Sequence, residues 1–393
     1  MAFCRLIRSS IAIILASASN SSGDEGGDSE PLTSAHPEIN MTEAKSTARN
    51  ITSLYIPLTR QIHADKINKV IFSLSSMRIS YGKYGIKLTN PDTDAKKVML
   101  DPSSQRDGNI GITTHGHTDH TPNSAISGRW ICSPITKKMI EFYKPKSRID
   151  DVERYKDEHW DIKLYDAGHC LGSKMAMVKD RDSGEKVLYT GDYNTLSRYC
   201  GKARPRKCDK LIIESTYGSK KDIFPDYRST VREMIAKVRE NLEERIRTRI
   251  LTYSFGKPQE ICGILEKAEI SFSVDDKIKS INQHIGVKYS NERQKSGVMV
   301  ARSPGPVREH RIMASGHAMS WGMRRMSGAE SAFTLSDHAD FSQGLQFVRR
   351  CSPEMTYTVF GKTKEFASEI QKLGMRAAPL TRGQSMIENF LHR

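Results

Sequence analysis

Short apolar runs that end in polar residues recur along the chain from about residue 66 onward. Runs without polar alternation are typical of strands that are buried on both faces. The four clearest runs, each given with the polar residues that follow it, are 98–100 before Asp101, 110–114 before His115, 187–189 before the turn 190–192, and 211–213 before Glu214. The pattern predicts buried strands whose ends carry reactive side chains.

Helical periodicity follows these strands. In 227–247, apolar residues recur at spacings of three and four, and Asp226 is the candidate N-cap. The residues of this apolar face are Val231, Ile235, Val238, Leu242 and Ile246. Further elements are predicted as a strand at 250–255, a turn at Gly256, a helix at 257–268, a strand at 356–360, a helix at 362–373 and a strand at 375–380. The mixture indicates an α/β fold, and we find no internal repeat.

The composition favours a polyanionic partner. The chain of 393 residues has 61 Lys and Arg against 46 Asp and Glu, a formal charge of +15. Such a charge attracts nucleic acid through a long-range field. The seven cysteines are odd in number and form no Cys-x-x-Cys pair. This argues against a disulfide framework or a thiolate zinc site and fits a reducing cytoplasm.

The first 50 residues are treated separately as a disordered or misassigned extension. Arg5 and Arg8 precede an apolar run at 11–18, which imitates a secretory signal but is too short to span a bilayer. An acidic Ser/Gly stretch at 19–30 is typical of disorder, and Met41 is an alternative start. We therefore expect a cytoplasmic protein without a membrane partner.

The strongest chemical signal is the loop 115–120, with the sequence His-Gly-His-Thr-Asp-His directly after a predicted strand. Imidazole and carboxylate groups are the ligands that zinc takes in sites that keep a position open for water. His115 and His117 are placed to face one metal, and Asp119 and His120 to face a second. One short loop therefore predicts the start of a two-metal site.

Two later loops continue the pattern: His169 lies in Ala-Gly-His-Cys, and Asp192 follows Thr-Gly. The order H-x-H-x-D-H, then G-H, then G-D resembles the metallo-β-lactamase superfamily over about 95–195. The resemblance implies an αββα sandwich, with Asp101 supporting the metal site through hydrogen bonds. The ligands that it implies are His115, His117 and His169 for one zinc, Asp119 and His120 for the other, and Asp192 as the bridge.

A second set of motifs resembles the β-CASP nucleases, a group that includes RNase J and Artemis. Glu214 opens Glu-Ser-Thr-Tyr-Gly, and His338 is the centre of Ser-Asp-His-Ala-Asp; the turn 254–260 has the Phe-Gly-basic-x-Gln-Glu pattern of the inserted domain. This resemblance covers about 95–380. It implies that His338 donates a proton to the leaving oxygen and that Glu214 orients it. Asp119 joins them in the predicted catalytic set.

The same resemblance implies an α/β β-CASP domain inserted into the metallo-β-lactamase sandwich. The predicted divisions are an extension at 1–50, the first part of the metallo-β-lactamase domain at 51–216, the insertion at 217–333, and the return of the first domain at 334–393.

One residue departs from the family pattern. RNA-cleaving members usually have a third motif with a histidine that completes the second zinc site, and this chain has Phe360 there. A phenyl ring cannot bind a metal, and DNA-cleaving relatives have an apolar residue at this motif. We expect the second zinc to bind weakly, with Mn²⁺ as an alternative ion. His317 is a further candidate ligand, but we expect it to face the cleft or solvent.

Basic residues flank the predicted cleft and suit a polyphosphate backbone. The predicted nucleic-acid contacts are Lys220, Lys221, Lys257, Arg302, Arg324 and Arg325. Tyr217, Phe255 and Trp321 are candidates for base stacking, and each is also a candidate core residue.

Three functions compete. The favoured prediction is a zinc-dependent nuclease of RNA, acting in RNA processing or decay as an endonuclease or a 5′ exonuclease. The alternatives are a DNA nuclease of the Artemis-like type, which Phe360 favours, and a non-catalytic metal-binding scaffold. A lactamase or glyoxalase is disfavoured by the β-CASP motifs and the basic charge. The expected partners are RNA more than DNA, a second copy of the chain, or an RNA-processing complex.

Overall fold

The computed structural model describes residues 77–385, with 107, 197 and 307 left out. The predicted extension at 1–50 therefore lies outside the described residues. Within the described part of the chain, no helix is both long and apolar enough to cross a membrane.

The first sheet has the strand order β19-β1-β2-β3-β4-β5-β6. Its strands are β1 (Arg78–Gly82), β2 (Gly85–Thr89), β3 (Lys97–Leu100), β4 (Asn109–Ile112), β5 (Ser127–Ile131), β6 (Arg148–Val152) and β19 (Gln384–Ser385). The pairs from β1 to β3 are antiparallel, and those from β3 to β6 are parallel. The carboxyl ends of β3 and β4 therefore meet at one edge of this sheet.

The second sheet has the order β18-β17-β11-β10-β9-β8-β7. Its strands are β7 (Arg154–Lys156), β8 (Trp160–Asp166), β9 (Lys174–Asp180), β10 (Lys186–Tyr189), β11 (Lys210–Ser215), β17 (Met355–Gly361) and β18 (Ala377–Pro379). Strands β10, β11, β17 and β18 are parallel. Their carboxyl ends form the second edge that carries site residues.

Helices cover the outer faces of the two sheets. They are α1 (Pro134–Tyr143), α6 (Phe341–Cys351) and α7 (Thr363–Lys372). The buried core between the sheets joins Leu88 and Ile112 of the first sheet to Val178 and Tyr189 of the second. A second core packs α6 and α7 on the second sheet, and a third packs α1 on β5 and β6. These layers form an αββα sandwich, which confirms the predicted fold class.

A third, all-parallel sheet has the order β13-β14-β12-β15-β16. Its elements are α2 (Tyr227–Glu243), β12 (Thr248–Leu251), α3 (Lys257–Lys267), β13 (Ser273–Val274), α4 (Asp276–Ile285), β14 (Val298–Ala301), β15 (His310–Ala314), a 3₁₀ turn (Gly316–Met319), α5 (Trp321–Ser327) and β16 (Ser331–Phe333). We call these elements the inserted unit, because β11 and β17 on either side of them in sequence pair in the second sheet. The exact boundaries 217–333 stay a prediction.

Helix α2 shows where periodicity alone was misleading. Asp226 is the N-cap, as predicted, and its side chain accepts a hydrogen bond from the backbone N–H of Ser229. The helix ends at Glu243 rather than near 247, because the backbone turns through a positive φ of 59° at Arg245. Leu242 and Ile246 were wrongly assigned to the buried face; both are exposed, and the last buried residue of the helix is Asn241.

Candidate metal centre

Three imidazole nitrogens converge beyond the carboxyl ends of β4 and β8. His117 Nδ1 lies 3.1 Å from both His115 Nε2 and His169 Nε2. Zinc–nitrogen bonds of about 2.0–2.1 Å in a tetrahedral site separate two ligand nitrogens by roughly 3.3 Å. The spacing of the three nitrogens therefore fits one zinc-sized ion.

The hydrogen bonds at the far side of each ring show that the converging nitrogens are free to bind a cation. His117 Nε2 donates to the Phe255 carbonyl at 3.1 Å, and His169 Nδ1 donates to the Asp337 carbonyl at 3.2 Å. His115 Nδ1 lies 3.0 Å from the Thr114 hydroxyl, which itself donates to a carboxylate. Each ring thereby uses its proton on the far nitrogen and directs a lone pair to the centre, as metal-binding histidines do.

Asp192 closes this group from the loop after β10. Its Oδ2 lies 3.6 Å from His115 Nε2, 3.7 Å from His169 Nε2 and 3.5 Å from His120 Nε2. Gly191, before it, has a φ of 52°, and a Cβ there would lie 2.7 Å from Thr114 Cβ. Only glycine therefore permits the turn that brings Asp192 between the histidines. Burial raises the pKa of Asp192 to about 6, against the lowering effect of His120 and His338.

Asp101 accepts several hydrogen bonds at the start of the histidine loop, and its support of a metal site stays a prediction. The backbone N–H of Thr114 donates to Asp101 Oδ1 at 2.7 Å. Its Oδ2 accepts from the Thr114 and Tyr189 hydroxyls and from His120 Nδ1, each at 2.8 Å. These bonds fix the start of the histidine loop and turn His120 Nε2 toward Asp192.

The second predicted metal position is less complete. The Asp119 side chain is 78% exposed, and its Oδ2 lies 3.8 Å from His120 Nε2. The Phe360 ring packs edge-on against His120, with ring centroids 5.4 Å apart. His317 is exposed and lies beside Tyr217, with ring centroids 6.0 Å apart. His120 and Asp192 are therefore in place, Asp119 stands at the rim, and a second ion stays a prediction.

His338 and Glu214 form the predicted pair, although 124 residues separate them. His338 Nδ1 lies 2.8 Å from Glu214 Oε1, and the backbone N–H groups of Tyr193 and Thr216 donate to the same carboxylate. Burial lowers the pKa of His338, but the carboxylates of Glu214 and Asp192 outweigh it and raise the pKa to about 9. His338 thus lies beside the candidate metal ligands, with a pKa that neighbouring carboxylates raise.

Lys257 corrects one prediction. Its side chain is 2% exposed, and its ammonium lies 2.6 Å from Glu260 Oε2 and 2.8 Å from Asp337 Oδ1. Arg198 donates to Glu260 Oε1 at 2.6 Å, and the Tyr227 hydroxyl donates to the same oxygen at 3.0 Å. The predicted contact of Lys257 with nucleic acid is therefore wrong, because its ammonium group is buried in ion pairs with Glu260 and Asp337.

The remaining predicted cations lie near or on the surface. Lys220 pairs with Glu369 at 3.1 Å, and Arg302 is bound to Asp275 at 3.1 Å while lining the cleft. Lys221 and Arg325 are exposed. The side chains of Arg324 and Trp321 lie outside the described residues.

A cleft of about 840 Å³ separates the metal ligands from the inserted unit. Of the candidate stacking residues, Phe255 is only 1% exposed, which is the core alternative, and Tyr217 is half-buried and lines the cleft. Gly256 brings the inserted turn close, because a Cβ there would lie 3.0 Å from His117 Nε2. The sequence-based search missed Tyr253, which is exposed and lines the cleft.

Parts of the chain are similar in sequence to known proteins. The chain is 25% identical over 293 residues to a probable DNA ligase of Opitutus terrae, covering 68% of this chain and 28% of the relative. It is 40% identical over 116 residues to an RNase J-like protein of Methanocaldococcus jannaschii, covering 29% of this chain and 27% of the relative. The chain thus spans less than a third of either relative. No protein-family model matches.

The fold is also found in a crystal structure of a protein of unknown function from Enterococcus faecalis V583. The TM-score is 0.56 at 10% identity, and the match covers 79% of this chain and 99% of that chain. The αββα sandwich, with this histidine and aspartate set at its strand ends, is of the metallo-β-lactamase type. With the Glu214–His338 pair, the inserted parallel sheet and these relatives, the chain is similar to the β-CASP nucleases.

Proposed function

We propose that the protein is a metal-dependent nuclease that hydrolyses phosphodiester bonds. The observation that carries the proposal is the convergence of His115, His117 and His169 within reach of Asp192, next to the His338–Glu214 pair. A scaffold needs neither the lone-pair alignment of the three rings nor a protonated histidine beside them. The net charge of +15 supports a polyanionic substrate.

The three histidines and Asp192 would hold the first ion, and His120 and Asp119 would contribute to a second. When bound, zinc or manganese would lower the pKa of its water to about 7 and neutralise charge on phosphoryl oxygens. The far-side hydrogen bonds from the rings to Thr114, Phe255 and Asp337 hold the ligands ready for the ion.

His338 supplies the proton for the leaving oxygen. Its Nδ1 is bound to Glu214, so that Nε2 is the nitrogen left for the substrate. Because nearby carboxylates raise its pKa to about 9, it carries a proton at neutral pH. A positioned acid of this kind contributes typically a factor of about 10² to 10⁴ in rate.

RNA is the polymer predicted from the sequence, and the name of the RNase J-like relative supports it. DNA is the second candidate, and the extent of the matches favours it. The RNase J-like match covers 29% of this chain, whereas the DNA ligase match covers 68%. Because the DNA ligase match covers about two thirds of this chain, it includes the middle of the chain, where the inserted unit begins. Phe360 beside His120 points the same way. We therefore propose DNA as the preferred polymer.

Location in the cytoplasm, a homodimer and an RNA-processing complex stay predictions.

The test uses end-labelled RNA and DNA of identical sequence, incubated with the full chain and zinc or manganese. We expect cleavage of DNA at a higher kcat/KM than RNA, abolition by chelator, and loss in His169→Ala. Faster cleavage of RNA would reverse the choice of polymer. Absence of metal-dependent cleavage of either strand would refute the nuclease proposal.

A further inference from the structure

The inserted unit presents the carboxyl ends of its parallel strands to the cleft. Strands β12, β14 and β15 are neighbours in the third sheet, and the loops that follow them line the cavity. In open parallel sheets, ligands bind at the carboxyl edge, at the point where the order of the strands reverses direction. The wall opposite the metal ligands is therefore the expected place for substrate groups other than the reacting phosphate.

Tyr253, in the loop after β12, is an exposed tyrosine on that wall. Tyr253 is 65% exposed, whereas Phe255, two positions later, is buried against His117. Tyr253, Tyr217 and His338 line the same cleft, and the Tyr217 ring lies 5.9 Å from the His338 ring. Tyr253 is thus exposed in the cleft that holds the proposed acid.

A tyrosine that contributes to the hydrophobic core is usually far less exposed than Tyr253. Tyrosine combines an apolar ring with a polar hydroxyl, and its burial is favourable. The neighbouring Thr252 is tied into the sheet, because its backbone N–H donates to the Ala301 carbonyl at 2.9 Å. The loop therefore holds the Tyr253 backbone in place and leaves its ring to an external partner.

The charge distribution of the cleft identifies the chemistry of that partner. The metal side of the cavity contains the carboxylates of Asp119, Asp192 and Asp337. The cavity-lining residues of the inserted unit are Thr252, Tyr253, Ser254, Phe255, Arg302, Ser315, Gly316 and His317. None of these described lining residues carries a carboxylate. They combine the half-exposed Arg302, which is ion-paired with Asp275 behind it in sequence, with an exposed aromatic ring. Aromatic platforms beside basic groups are the means by which proteins bind single-stranded nucleic acid.

We propose that Tyr253 stacks on an unpaired nucleobase next to the scissile phosphate. The inference rests on the proposed nuclease function and narrows its substrate to a single strand or a frayed end at that position. A base within a duplex is covered on both faces by its neighbours, so it has to be unstacked before the ring can contact it. Stacking tolerates any base, and we expect little sequence preference at this position.

The experiment measures binding separately from cleavage. The His338→Ala variant of the full chain keeps a labelled single strand intact while fluorescence anisotropy reports its affinity in the presence of zinc. Adding Tyr253→Ala is expected to weaken binding roughly tenfold, within the range for loss of one base–aromatic stack. Tyr253→Phe is expected to retain the affinity. Tyr199→Ala is the control, because Tyr199 is also an exposed tyrosine but does not line the cleft.

A series of strands with one abasic nucleotide locates the contact. At a single position, removal of the base is expected to weaken binding to the His338→Ala protein and to leave binding to the Tyr253→Ala double variant unchanged. Equal losses in both proteins at every position would overturn the stacking proposal while leaving the nuclease proposal intact. Failure of the His338→Ala protein to bind any strand would contradict both.

Discussion

The ammonium group of Lys257 lies 2.8 Å from Asp337 Oδ1, and the carbonyl oxygen of the same Asp337 accepts the hydrogen bond of His169 at 3.2 Å. Asp337 also directly precedes His338. A lysine at the start of α3 in the inserted unit therefore holds the loop that orients both a metal ligand and the proposed acid. Buried ion pairs add little net stability, but they fix one arrangement of the groups around them.

Replacement of Lys257 by methionine is expected to lower kcat about 10- to 100-fold with a small change in KM. The carboxylates of Glu260 and Asp337 lose a buried partner, and removal of one member of a buried pair costs about 3–5 kcal/mol in the free energy of unfolding. Steady-state kinetics and denaturant unfolding measure the two effects. Lys364→Met, at an exposed position of α7, is the matched control. An unchanged kcat would show that the pair does not position the site.

Loss of any one of the three converging histidines is expected to reduce zinc affinity at least 100-fold. Each ring supplies one of the few protein ligands, and an open site has no substitute. Isothermal titration of metal-free His115→Ala and His169→Ala measures this directly. His159→Ala is the control, because His159 binds Asp182 and does not line the cleft. Retention of wild-type affinity in His115→Ala would contradict the assigned ligand set.

Replacement of Glu214 by glutamine is expected to move the basic limb of the pH–rate profile to lower pH. Glu214 raises the pKa of His338, which must be protonated to donate. Without that charge the pKa falls toward its ordinary value of about 6.5, so activity is lost as pH rises through a lower range. The shift of the basic limb is measured by plotting the logarithm of kcat against pH from about 5 to about 10, in steps of about half a unit. A limb at the same pH in both proteins would exclude His338 as the acid.

Phe360→His is expected to strengthen a second metal site. The Phe360 ring packs beside His120, and an imidazole there offers a nitrogen near His120 and Asp192. The backbone φ of 56° at this position is more compatible with histidine than with most side chains. Metal content after equilibration with zinc is expected to be higher than in the wild type. Phe360→Leu is the control, and equal metal content in the histidine and leucine variants would contradict the prediction.

The candidate metal ligands could be proposed from the sequence because each follows an apolar strand within a short, distinctive loop. His115 follows β4 of the first sheet, and His169 and Asp192 follow β8 and β10 of the second, which both run antiparallel to β9 between them and so end at the same edge. Lys257 was not predictable in the same way. A lysine after a glycine turn in a basic region resembles a phosphate-binding residue, and its acidic partner Asp337 is 80 residues away in sequence.

The sequence also could not predict which aromatic residue of the loop after β12 is exposed and which is buried. Phe255 and Tyr253 are two positions apart; Phe255 was a candidate for base stacking or for the core, and Tyr253 was not considered. Phe255 is buried because its ring packs on His117, with centroids 5.7 Å apart, and Tyr253 is left exposed. This choice depends on the packing of the inserted unit against the metal loop. Leu242 in α2 and Ile246 after its end, both apolar and exposed, illustrate the same dependence on tertiary contacts.

The most direct test of the account is a chelator titration in which metal content and strand cleavage are measured on the same samples of the full chain. If His115, His117, His169 and Asp192 hold the catalytic ion, cleavage falls in proportion to the metal removed and returns when zinc or manganese is added. Cleavage that persists after the metal is gone would contradict the account, as would fully loaded protein that cleaves neither DNA nor RNA.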